Sequence, residues 1–276
     1  MSQIAALQMT SGGSLDANLQ QAQSLIEQAV KQGTKLLVLP EYFAYHGCGD
    51  ISAAAQQEQY STGTARTFLA EQASYHQVWI VGGSIPVAIR DDERAAASCF
   101  VVNDQGREVA CYQKMHLFDA LVDDAKGSYR ESDSYCHGDQ PVVVETPVGK
   151  LGLTVCYDLR FPELYRYLAD QGAEIMVIPS AFTATTGEAH WQLLLRARAV
   201  ENLCYVIGAN MGDRTHPKQP TWGGSAVVGP WGNILSELDD GQGVVTAGID
   251  LDYLKKLRQK MPVHEHRRFS VVKPSN

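Results

Sequence analysis

The chain predicts an α/β protein in which helices cover sheets, and three observations carry that prediction. Short continuous apolar runs end at glycine or proline, segments of helical period lie between them, and no linker or low-complexity tract divides the 276 residues. Residues 4–9 form the first apolar segment, followed by the turn-forming Ser11-Gly12-Gly13-Ser14. Leu19, Ala22, Leu25, Ile26, Ala29 and Val30 then share one helical face until Gly33 stops the helix. Leu36-Leu37-Val38-Leu39 is a run suited to a strand buried on both faces, closed by Pro40. The pattern recurs: a strand over 151–155, a helix over 162–170 ended by Gly172, a buried strand over 175–178, and a long helix from about 189 to 203. Hairpins are signalled where Asn103-Asp104-Gln105-Gly106 and Gly229-Pro230-Trp231-Gly232 separate short apolar runs. A strand over 244–249 and a helix over 251–260 precede Pro262. One domain over 1–276 is expected. The polar stretch 118–141 differs in texture, and loops of that length are usually functional or disordered.

Composition narrows the function classes. The 45% hydrophobic content is enough for a full core without disulfides or a structural metal. A net charge of −8 argues against nucleic acid as a partner, which would require a basic face. No window approaches the run of about 18 apolar residues that a membrane span requires. The six cysteines, Cys48, Cys99, Cys111, Cys136, Cys156 and Cys204, form no CxxC pair, and the N-terminus turns polar within a few residues. Reduced thiols and a cytoplasmic location are therefore expected.

Three predicted strand ends carry reactive side chains. Glu41 follows Leu39-Pro40, Lys114 follows Tyr112-Gln113, and Cys156 follows Thr154-Val155. Taken singly, the thiol reads as a small core residue, the glutamate as a cap or ion-pair partner and the lysine as a solvated strand end. Together they suit acyl transfer. A lysine ammonium would lower the thiol pKa, a carboxylate could take and return protons, and the lysine with the backbone N–H of Tyr157 could hold an oxyanion. This scheme requires no metal or other cofactor.

Three stretches carry a resemblance: Leu37-Val38-Leu39-Pro40-Glu41, Tyr112-Gln113-Lys114-Met115-His116-Leu117-Phe118-Asp119, and Gly152-Leu153-Thr154-Val155-Cys156-Tyr157-Asp158-Leu159-Arg160-Phe161-Pro162-Glu163. In these the chain resembles the nitrilase superfamily of carbon–nitrogen hydrolases, from residue 4 to about 268. The resemblance implies a four-layer α-β-β-α sandwich and a Glu–Lys–Cys triad. By it Glu41 is the general base, Lys114 the oxyanion and orienting residue, and Cys156 the nucleophile. Glu131 takes the place of a second glutamate in the loop after the lysine. The same resemblance implies a homodimer joined through a helical face, with a C-terminal tail, about 262–276, that often crosses to the partner.

Within the superfamily the nearest likeness is to the Nit branch, carried by Pro179-Ser180-Ala181-Phe182-Thr183, residues 186–191 and residues 194–206. That likeness implies hydrolysis of deaminated glutathione to 2-oxoglutarate and cysteinylglycine, with ω-amidase activity on 2-oxoglutaramate as the alternative. Both substrates carry carboxylates, so an arginine or a backbone N–H is expected in the pocket; Arg160, Arg196 and Arg198 read equally as structural ion-pair partners. His190-Trp191 reads as packing, and Cys48 as a structural thiol near Glu41. Rival readings are a papain-like pair of Cys156 with His116 or His190, a true nitrilase, and a non-catalytic binding protein.

Overall fold

The computed structural model describes residues 1–270 apart from Ser11, Ala125 and Lys218. Ser11 of the first predicted turn and residues 271–276 of the predicted tail lie outside the described residues.

The first half of the chain builds one sheet. β1 (Ser2–Gln8) leads into α1 (Leu15–Lys31), where the Ser14 hydroxyl accepts from the Ala17 N–H at 3.4 Å to cap the first turn. β2 (Leu36–Val38) returns parallel to β1. After α2 (Ile51–Gln57) and α3 (Thr64–His76) come β3 (Trp79–Val81), β4 (Ile85–Ala88), β5 (Ala95–Val102) and β6 (Glu108–Gln113). β7 (Asp119–Leu121) and β8 (Ser128–Arg130) form a separate hairpin, and β9 (Tyr135–Cys136) pairs with β5.

The second half builds the other sheet from β10 (Val142–Thr146), β11 (Gly149–Leu153), α4 (Pro162–Asp170), β12 (Ile175–Ser180), α5 (Ala184–Thr186), α6 (Gln192–Asn202) and β13 (Tyr205–Asn210). It continues through the small hairpin β14 (Gly212–Asp213) and β15 (Thr221–Trp222) to β16 (Ala226–Val228) and β17 (Ile234–Glu237). β18 (Gly243–Ile249) crosses back to pair antiparallel with β1, ahead of α7 (Leu251–Lys260) and α8 (Val263–His266). The strand orders are β18-β1-β2-β3-β5-β4, with β6 and β9 on β5, and β10-β11-β12-β13-β16-β17.

The layers follow from which way alternate side chains face. Ile4, Leu36, Val38 and Val101 meet Leu151, Leu153, Val177 and Ile207 in a core between the sheets. On the outer face of the first sheet, Leu37 and Ile80 pack under Leu25 and Ile26 of α1 and Leu69 of α3. On the outer face of the second, Met176 and Val206 pack under Leu164 and Leu168 of α4 and Leu195 of α6. The result is the expected α-β-β-α sandwich. It explains why these strands read as unbroken apolar runs, since both faces of each sheet are covered.

Some elements differ from expectation, among them the strand predicted over 151–155, which lies instead at Gly149–Leu153. The strand predicted over 175–178 runs on through Pro179 to Ser180, because a parallel neighbour, β13, extends alongside as far as Asn210. The helix predicted from about 189 begins instead with a π-helical turn, Gly187–Trp191. Gly187 presses on Trp222 there, and a Cβ would lie 2.1 Å from the Trp222 Cβ.

The described part of the tail contacts α4 and α6. His264 Nε2 is 3.0 Å from the Asn202 carbonyl, and Arg267 donates to Asp170 at 2.5 Å.

Candidate active site

Strand ends from both sheets converge on one buried cluster. Glu41 lies three residues beyond β2, Lys114 directly after β6, and Cys156 three residues beyond β11. The sheets are tied at this edge by the bridge between Met9 and Met211, where the Gly212 N–H donates to the Met9 carbonyl at 2.8 Å.

Lys114 stands between two carboxylates. Its Nζ donates to Glu41 Oε1 at 2.9 Å and to both oxygens of Glu131 at 2.8 Å. The second Glu41 oxygen accepts from the Ala181 N–H, at the end of β12, at 3.0 Å. Glu131 opens a 3₁₀ turn (Glu131–Asp133) after the hairpin and accepts from Phe118 N–H at 2.6 Å and Tyr42 hydroxyl at 2.8 Å. Glu41 and Lys114 are almost fully buried, at 2% and 1% exposure. Cys156 and Glu131 are half-buried.

Backbone geometry presents the acid and the thiol. Cys156 has φ of +49°, a left-handed conformation that costs a non-glycine residue about 1–2 kcal/mol. It turns the chain sharply out of the strand into a 3₁₀ turn, Cys156–Arg160. Tyr42, next to Glu41, has φ of +56°, and its N–H donates to Ser84 Oγ at 3.1 Å. Gly83 (φ +60°) lets the loop after β3 press against Pro40, whose carbonyl oxygen would lie 2.0 Å from a Cβ there.

A second buried carboxylate locks the thiol turn to the lysine strand. Asp158 accepts from Val155 N–H at 2.8 Å, Tyr112 hydroxyl at 2.7 Å and His116 N–H at 3.0 Å, and its Oδ1 lies 2.7 Å from His116 Nδ1. The His116 ring is stacked on Phe161 with centroids 3.7 Å apart. His190 pairs with the Arg160 guanidinium at 3.2 Å. Both histidines of the papain-like reading are thus engaged elsewhere, and Glu41 is the carboxylate beside the thiol.

Electrostatics set the protonation states. Burial, reinforced by the Glu41 charge, pushes the Cys156 thiol well up, and Lys114 only partly offsets this. Lys114 lowers the thiol pKa as expected, but desolvation and the Glu41 charge outweigh it. Burial also raises Glu41, against the pull of Lys114 and with the push of Glu131. For Lys114, burial alone would favour the neutral amine, but Glu131 and Glu41 outweigh it and hold the ammonium. The cluster can therefore keep a neutral thiol beside a carboxylate poised to take its proton.

The carbon–nitrogen hydrolase family model matches residues 3–259. The chain belongs to that family. This carbon–nitrogen hydrolase is 42% identical to a deaminated glutathione amidase of Synechocystis sp. over 268 residues, 96% of this chain and 97% of the relative. It is 38% identical to omega-amidase NIT2 of Danio rerio over 252 residues, 91% and 89% of the two chains. Among solved structures, the C. elegans NitFhit protein superposes with a TM-score of 0.88 at 36% identity; the match covers 97% of this chain and 65% of that one. A mutant amidase from Nesterenkonia sp. AN1, described as carrying acrylamide added at its active site cysteine, matches with a TM-score of 0.78 at 29% identity, covering 96% of this chain and all of that one.

All four side chains singled out from the sequence of this hydrolase lie in or beside one cluster. Sequence reading missed Tyr42 and Asp158, whose roles arise only when distant strand ends meet. Arg198 donates to the Leu159 carbonyl and Glu201, and Arg196 to the Gly232 carbonyl, so both are engaged in the scaffold. Arg160 instead sits 5.7 Å from the Tyr157 ring and 5.4 Å from the Phe182 ring. Trp191 is fully buried and donates to the Gly224 carbonyl at 2.7 Å, in keeping with packing. The Cys48 thiol accepts from Asn18 at 3.5 Å and donates to the Ala44 carbonyl at 3.6 Å. Among the described residues no group of three or more His, Cys, Asp or Glu side chains is arranged to hold a metal ion.

Proposed function

We propose that this carbon–nitrogen hydrolase is a cysteine-dependent amidase that cleaves deaminated glutathione to 2-oxoglutarate and cysteinylglycine. The single observation supporting the chemistry is the buried Glu41–Lys114–Glu131 cluster beside a left-handed, partly exposed Cys156. Glu41 takes the thiol proton as Sγ attacks the amide carbon, then gives that proton to the departing amine as the C–N bond breaks. A thioester remains on Cys156. Water next gives a proton to Glu41 and attacks the thioester; the C–S bond breaks and Glu41 reprotonates the sulfur.

The tetrahedral oxyanion is held by the Tyr157 backbone N–H and by Lys114. At rest the Lys114 ammonium is shared among three carboxylate oxygens, so its main contribution is its charge. Glu131 holds that ammonium in place.

The substrate reading rests on the likeness to the deaminated glutathione amidases and on Arg160, the arginine at the thiol turn not engaged by a backbone carbonyl in the scaffold. Its guanidinium lies among Tyr157, Phe182 and His190, where it can receive a substrate carboxylate. An ω-amidase acting on 2-oxoglutaramate is the second reading, favoured by the likeness to the Danio rerio enzyme. We further read residues 1–276 as one catalytic domain, acting in the cytoplasm and pairing as a homodimer. None of the six cysteines is in a disulfide, and no helix among the described residues is long and apolar enough to cross a membrane.

The test is mass spectrometry of protein quenched during turnover. A 2-oxoglutaryl adduct on the Cys156 peptide, absent from Cys156→Ala, is expected. Full turnover by Cys156→Ala would overturn the reading.

A further inference from the structure

Two carboxylates share one ammonium in this site, and the chemistry needs the shuttled proton to reside on only one of them. The two are solvated differently by the protein. Glu41 accepts from Lys114 at 2.9 Å and Ala181 N–H at 3.0 Å. Glu131 accepts twice from Lys114 at 2.8 Å, once from Phe118 N–H at 2.6 Å and once from the Tyr42 hydroxyl at 2.8 Å. Each bond to a carboxylate favours its ionised form.

We propose that Tyr42 is a positioning residue that supplies Glu131 with a fixed donor, so that Glu41 is left as the carboxylate that receives the Cys156 proton. The proposal rests on the roles given above to Glu41 and Glu131. Chain geometry makes Tyr42 suited to the task. It is adjacent to Glu41, its left-handed backbone is anchored through Ser84, and its ring packs against Tyr135 with centroids 5.9 Å apart. Its side chain is thereby directed across the site to a carboxylate 89 residues away in sequence.

The charged and titratable groups around this carboxylate pair are Lys114, Tyr42, Tyr135 and Cys156. Burial and the Glu131 charge both hold Tyr42 protonated, so its hydroxyl remains a donor across the working pH range. Without that hydroxyl the carboxylate pair has one donor fewer, and the pair binds its first proton at higher pH.

The experiment compares Tyr42→Phe, which keeps the ring, with the parent enzyme. Its readouts are the pH profile of kcat/KM and the pH profile of Cys156 alkylation by iodoacetamide, followed on the Cys156 peptide. The alkylation profile needs no turnover. In Tyr42→Phe the acid limb is expected to move up by as much as about one pH unit, so kcat/KM falls by up to about tenfold at pH values on that limb. In a Glu131→Gln background, removing the hydroxyl is expected to leave the alkylation limb unmoved. A uniform fall without a limb shift would overturn the proposal, because loss of packing alone lowers the rate equally at every pH. An unchanged profile, or the same limb shift in the Glu131→Gln background, would also overturn it. If Glu131→Gln alone retains full activity, the role of Glu131 fails and the proposal falls with it; a crippled Glu131→Gln beside an unshifted Tyr42→Phe removes Tyr42 only.

Discussion

At the residue scale, the decisive effect is that burial wins over charge attraction at the thiol. Lys114 would stabilise a thiolate, yet desolvation and the Glu41 charge keep sulfur protonated. In the proposed mechanism, attack therefore requires proton transfer to Glu41 as the S–C bond forms. Glu41 must be ionised to act, and burial raises its pKa above the ordinary carboxylate range. As pH falls through that raised value the base is lost. The acid limb of kcat/KM is thus expected above the pH at which a solvent-exposed glutamate titrates; a limb at or below about pH 4.3 would contradict this. At high pH the two carboxylates keep Lys114 charged, so the lysine does not set the alkaline limb near neutrality. The clustering of the candidates Glu41, Lys114, Cys156 and Glu131 was legible because each lies in or near a sequence stretch that resembles a known motif. Tyr42 and Asp158 were not, since a tyrosine and an aspartate acquire these roles only through partners 89 and 46 residues away.

At the element scale, turns rather than strands determine whether the site assembles. Gly83 is the clearest case. Its φ of +60° and the approach of the Pro40 carbonyl leave no room for a side chain. Gly83→Ala is expected to destabilise the protein by roughly 3 kcal/mol and to displace Glu41, lowering activity more than global unfolding explains. Thermal melting together with kcat/KM of the folded fraction checks both parts. Several elements were legible: the helix over 162–170 and the helix over 251–260 match α4 and α7, and the two hairpin turns lie where Asn103 to Gly106 and Gly229 to Gly232 predict them. Residues 49–98 carried no prediction. There α3 has Gly63 at its N-cap, without a side-chain cap of its own, and Glu58 from the preceding segment accepts from Ala65 and Arg66 instead. A cap supplied from outside the helix leaves no Ser, Thr, Asp or Asn signal at the expected position.

At the scale of the whole molecule, the sandwich leaves one outer face incompletely covered. Leu193 and Val200 of α6 are exposed at 67% and 45%, and Trp231, in the neighbouring turn, at 58%. Arg196 ties this turn to α6 through the Gly232 carbonyl at 2.8 Å. Leu193, Arg196 and Val200 lie on one helical stripe, so a second copy packing there would extend the layered sandwich. Leu193→Asp with Trp231→Glu is expected to shift the proposed dimer to monomer in light scattering, with the melting temperature of each protomer little changed; an unaltered mass would place the interface elsewhere. The layered architecture itself was legible from apolar runs between helical segments. The placement of this face was not, because it depends on which side of α6 the second sheet occupies.

The most direct measurement is a side-by-side assay of the purified enzyme on deaminated glutathione and on 2-oxoglutaramate, each read as released 2-oxoglutarate. The expected result is a kcat/KM for deaminated glutathione at least about tenfold higher, corresponding to about 1.4 kcal/mol of transition-state preference. The reverse preference would contradict the deaminated-glutathione reading and make the protein an ω-amidase, and no 2-oxoglutarate from either substrate would contradict both.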